Sequence, residues 1–128
     1  MKIRSCSVLL TACILAVAAP LALAADTSIG TMAKIVISLN HFPTDADKEK
    51  LTVIADSEDS SEDEMTIATA ILNVEHKVHD SDKELLELIA SDDSVSSEVR
   101  ELATAVLNIN HKASSEDIAK LELFASTS

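Results

Sequence analysis

Ala68-Thr69-Ala70-Ile71-Leu72-Asn73-Val74-Glu75-His76-Lys77 recurs 35 residues later as Ala103-Thr104-Ala105-Val106-Leu107-Asn108-Ile109-Asn110-His111-Lys112. A more diverged copy, Ala33-Lys34-Ile35-Val36-Ile37-Ser38-Leu39-Asn40-His41-Phe42, stands at the same interval before them. The repeat runs without gaps. A fixed period of this length marks a helical array, in which each unit buries its apolar face against its neighbours. The fold class that follows is all-α. Three tandem 35-residue two-helix repeats, at about 26–60, 61–95 and 96–128, form a short α-solenoid or a compact six-helix array.

Each unit reads as a helix hairpin. In the middle copy Ser61 and Glu64 fit a capping box, and the acids around them suit the positive end of a helix dipole. The first helix, A, is expected from about Glu62 to about Val78. A second start at His79-Asp80-Ser81-Asp82 opens helix B, from about Asp80 to Ala90. Thr44 and Ser114 are the corresponding N-caps in the other copies, each with an acid three residues on. Two helices per 35 residues resembles the tetratricopeptide and related hairpin repeats in length and layout. The Trp, Leu-Gly and Tyr positions of that signature have no counterparts here, so the likeness is one of architecture and carries no functional residue.

The ends of the chain say where the protein goes. Lys2 and Arg4 precede an apolar run from Val8 to Leu23, and Ala22-Leu23-Ala24 is a small-x-small cleavage site. Residues 1–24 therefore read as a bacterial secretory signal, and the rest as a single periplasmic or secreted domain over 25–128. Leu10-Thr11-Ala12-Cys13 resembles a lipid-attachment box, but the apolar run continues for ten residues beyond it. Cleavage would remove both cysteines, Cys6 and Cys13, so packing alone must hold the domain.

Composition excludes several roles. The full chain carries a formal charge of −12; losing Lys2 and Arg4 leaves 8 basic residues against 22 acidic, or −14. Such a body repels phosphate backbones and anionic membranes, so neither nucleic acid nor stable membrane insertion after cleavage is expected. There is no Trp or Tyr, and Phe42 and Phe124 are the only aromatic carbocycles. One Gly, Gly30, rules out Gly-rich phosphate loops. No nucleophile constellation is present, and no enzymatic role or cofactor is expected.

Helix A is apolar nearly all round, and its polar residues fall on one line at offsets of three and four. That line is Thr31, Lys34, Ser38, His41 in the first copy, Thr66, Thr69, Asn73, His76 in the second, and Glu101, Thr104, Asn108, His111 in the third. In an open stack these lines lie side by side on the inner face, which solenoids commonly use for binding. Lys34, Ser38, His41, Thr69, Asn73, His76, Thr104, Asn108 and His111 are thus the candidate binding residues. Their partner would be a protein or peptide, more basic than acidic, and a homodimer through the uncovered ends of the array is also expected.

The histidines admit other readings. An imidazole in the last turn of helix A suits the helix dipole and can join a polar ladder between repeats. As the alternative function, they bind a divalent metal or respond to pH, since an ordinary His titrates near pH 6.5. Spacing rules out one shared ion. Packed helices lie about 8–10 Å apart, so the first and third histidines are roughly twice that apart and the three cannot share a metal. On that basis no metal ligand is assigned, although a neighbouring pair, or His76-x-x-His79 beside Glu75 and Asp80, could bind an ion. Asp45-x-Asp47-x-Glu49 and the run Asp56 to Glu64 lack the turn Gly and distal Glu of a calcium loop.

Overall fold

A computed structural model describes residues 27–126 as six α-helices. They are α1 (Ser28–Ser38), α2 (Asp45–Ala55), α3 (Glu62–Leu72), α4 (Asp80–Ser91), α5 (Ser97–Leu107) and α6 (Ser115–Ala125). The proposed signal segment and both cysteines lie outside the described residues. Three hairpins, α1–α2, α3–α4 and α5–α6, match the three repeats.

The starts follow from the caps. The Thr44 hydroxyl accepts the Asp47 backbone N–H while the Asp47 carboxylate reaches back to Thr44 N–H, and Ser61 with Glu64 does the same. Of the five acids in these first turns, Asp47 and Glu64 are thus caps. Helix A ends sooner than its apolar pattern implies. It stops at Ser38, Leu72 and Leu107, so the histidines lie three to four residues beyond the helix rather than in its last turn.

Packing closes the array on itself. Helix B of each repeat packs on helix A of the next: α2 on α3, α4 on α5, and α6 back on α1. The three A helices also touch one another in every pairing. The result is a compact bundle with approximate threefold symmetry, A helices inside and B helices outside. Nearly all-round burial of helix A follows, with Met32, Ile67 and Leu102 at equivalent positions, all fully buried. Ala33, Ala68 and Ala103, also fully buried, lack bulk and so let the inner helices approach closely. Leu51, Leu86 and Leu121 anchor the outer helices in the same core. The ends from which a homodimer was expected are covered by one another at the α1–α6 contact. No helix among the described residues is long and apolar enough to cross a membrane.

Candidate metal centre

Closure brings the three A–B linkers to one pole of the bundle. There the backbones of the histidines form a ring. His41 N–H donates to the His111 carbonyl oxygen at 2.6 Å, His111 N–H to that of His76 at 2.5 Å, and His76 N–H to that of His41 at 2.8 Å. Every member donates once and accepts once. The flanks fold back around the tip: Glu75 N–H donates to the Lys77 carbonyl and Asn110 N–H to that of Lys112, both at 3.3 Å.

This reversal needs a left-handed residue at its tip. His41, His76 and His111 have φ of 73°, 66° and 65°, the only non-Gly residues with positive φ among those described. His is enriched in this region relative to most residues, yet Gly enters it at no steric cost. The chain instead places its one Gly, Gly30, inside α1. Three imidazoles at three positions that favour Gly point to a use for the side chain, because backbone outliers of this kind cluster at functional sites.

The imidazoles converge. Ring centroids are 5.1–5.2 Å apart in all three pairs, with the rings edge to face. One ligand nitrogen from each can be chosen so that all lie within 4.8 Å of one another, at the protein surface. Zinc–nitrogen bonds of about 2.0–2.1 Å put tetrahedral donors roughly 3.3 Å apart. Surface imidazoles close the remaining gap of about 1.5 Å by rotation about their side-chain torsions. The expectation that the three histidines cannot share a metal is therefore corrected. In a closed ring each histidine neighbours both others, and the three are placed to share one ion.

The other stripe residues do not join this cluster. The Thr69 and Thr104 hydroxyls donate to the carbonyls of Met65 and Arg100, one turn back in their own helices. Ser38 Oγ donates to the Ile35 carbonyl at 3.1 Å. The amides of Asn73 and Asn108 donate to Asp82 and Asp117, tying each helix A to helix B of its own repeat. Lys34 is exposed and lines a shallow cleft with Thr31, Ser38 and Asp47. Among the described residues, His79 belongs to no group of three metal-ligating side chains.

His79 is instead a break in the pattern. It holds the N-cap of α4 without a side-chain hydrogen bond, where Thr44 and Ser114 make one. Next to it, a hydrogen bond from Lys83 holds the Asp80 carboxyl below its ordinary pKa, with the lysine's charge adding to the effect. That group favours the fold above its unfolded pKa, and the contribution fades as pH falls through the lowered folded value. Replacing His79 by Ser, which caps, is expected to stabilise the protein by about 0.5–2 kcal/mol. Urea denaturation at neutral pH measures this; unchanged or lowered stability would mean that His79 holds the α4 start by some other contact.

No protein-family model, no curated protein and no solved structure matches the chain. Its function therefore rests on the chemistry of the site.

Proposed function

We propose that this protein binds one divalent late first-row transition-metal ion, zinc being the best fit, through His41, His76 and His111, and that it does so after export. The observation behind the reading is the placement of three imidazole nitrogens within 4.8 Å of one another on a strained backbone ring. Imidazole suits zinc, copper and nickel, whereas calcium and magnesium want oxygen donors. The chain's net charge of −12 draws cations toward the surface without specificity, and the histidines supply the specificity. A peptide-binding surface on helix A has less behind it, since the Thr and Asn side chains of the stripe already bond within their own repeats.

Isothermal titration with zinc, nickel and calcium tests this. One zinc per chain is expected, with no saturable calcium site. Replacing His111 by Ala weakens zinc binding roughly 100-fold, the loss of about a third of the roughly 8 kcal/mol that a micromolar site supplies. Equal zinc affinity in the His111→Ala variant sinks the reading.

A further inference from the structure

In a threefold ring, the residues that break the symmetry mark where one face differs from the other two. Two of them meet in one place. The residue after the tip histidine is Lys77 in the second repeat and Lys112 in the third, but Phe42 in the first. The N-cap of helix B is Thr44 or Ser114 in two repeats, but His79 in the second. Phe42 and His79 both line a cleft of about 640 Å³ between the first and second repeats. Lys48, Leu72, Glu75 and His76 line it too.

Both departures are locally unfavourable. Phe42 leaves 60% of its surface in water, against the tendency of an aromatic ring to be buried. His79 gives up a cap. Lys48, which like Lys50, Lys77 and Lys112 makes no ion pair among the described residues, puts an uncommitted cation on the cleft wall. Uncompensated choices of this kind collect at functional sites. His76 belongs both to the imidazole cluster and to the cleft wall, so the cleft opens beside the metal centre. An ion held by three imidazoles keeps a coordination position for an outside ligand.

We infer that this cleft binds a small organic carboxylate with an apolar body, which completes the coordination of an ion held by the three histidines. One carboxylate oxygen takes the open metal position. The Lys48 ammonium and the His79 ring face the same anionic group, and Phe42 with Leu72 receives the apolar body. A dication and Lys48 outweigh Glu75 locally, so an anion is attracted here despite the acidic body. Inorganic phosphate would meet the charge but leave the apolar wall uncovered. The inference rests on the metal reading.

The test uses the whole protein with zinc as the metal and benzoate, acetate and phosphate as probes. Zinc uptake is measured first. Benzoate is then expected to bind the zinc-loaded protein at least about tenfold more tightly than acetate or phosphate, and to shift the amide resonances of Phe42, Asn73 and His79. It should not bind the metal-free protein. Phe42→Ser removes the ring without adding charge, and at a position 60% exposed it leaves the fold intact. It is expected to lower benzoate affinity about tenfold while leaving zinc affinity unchanged. If one zinc binds per chain but benzoate binds no better than acetate, or Phe42→Ser has no effect, the cleft proposal is overturned and the metal reading stands. If zinc itself does not bind, both fall.

Discussion

Changing His41, His76 and His111 together to glycine leaves the metal-free protein at least as stable as before, and abolishes its stabilisation by zinc. The two effects separate because the backbone and the side chains of these residues do different things. The ring of N–H to carbonyl bonds involves main-chain atoms alone, and glycine preserves it. A left-handed non-Gly residue costs roughly 1–2 kcal/mol, which each substitution relieves. The greater freedom of glycine in the unfolded chain takes back about 0.4–1 kcal/mol. The net change per site is between nearly nothing and about 1.6 kcal/mol of stabilisation. Zinc at 100 times its dissociation constant stabilises the native histidine protein by about 2.7 kcal/mol. For a domain of this size that is a rise of roughly 10–20 °C in melting temperature, and the glycine variant should show none. Thermal melts with and without zinc decide it. A variant that still gains stability from zinc removes the histidines from the site. One that collapses without metal shows that the edge-to-face rings hold the ring together.

A chain ending at Lys112, without α6, is expected to lose cooperative folding altogether. In an open solenoid the last helix stabilises only its neighbour, and removing it costs one terminal increment. Here α6 packs on α5 and on α1, so its loss uncovers the first repeat as well as the third. Leu121 is fully buried, and Ile118 and Phe124 pack against the core beside it. At about 1.5–3 kcal/mol for a fully buried large side chain such as Leu121, and less for the partly buried Ile118 and Phe124, these residues supply a large share of the 5–15 kcal/mol of a typical domain's net stability. Circular dichroism and urea titration of the truncated chain provide the measurement. A truncated protein that keeps a sharp transition, with only a modest fall in midpoint, would favour an open array over the closed bundle.

Much of this architecture can be read along the chain, and the missing part has a definite physical origin. The 35-residue period and the caps at Thr44, Ser61 and Ser114 set the number of helices and where most of them begin. The helix A ends mislead because burial continues past them. Ile67, Ile71, Val74 and Val78 are spaced as on one helical face and are all buried, yet α3 ends at Leu72 and the last two belong to the linker. The pattern reports burial, which a well-packed linker mimics. A residue type tolerant of positive φ, recurring without Gly at each A–B junction, was the available sign that the chain turns there. Closure is harder to see. Whether hairpins stack in a line or around an axis depends on the rotation between successive units. That angle belongs to the packing of the inner helices on one another, which the period does not encode. The convergence of the three histidines is hidden for the same reason, since its geometry exists only once the first and third repeats touch.

The contact between α6 and α1 has one more consequence. It makes the interface between the last repeat and the first equivalent to the two interfaces inside the chain, so the molecule is a trimer of hairpins whose subunits happen to be joined by peptide bonds. The linkers between repeats then carry connectivity rather than shape. Cyclic assemblies of identical subunits place equivalent residues around their axis by symmetry alone. A single hairpin sequence, used three times as separate molecules, would set three identical histidines around one point. What tandem repetition adds is the freedom to make one of the three junctions unlike the others, as Phe42 and His79 do.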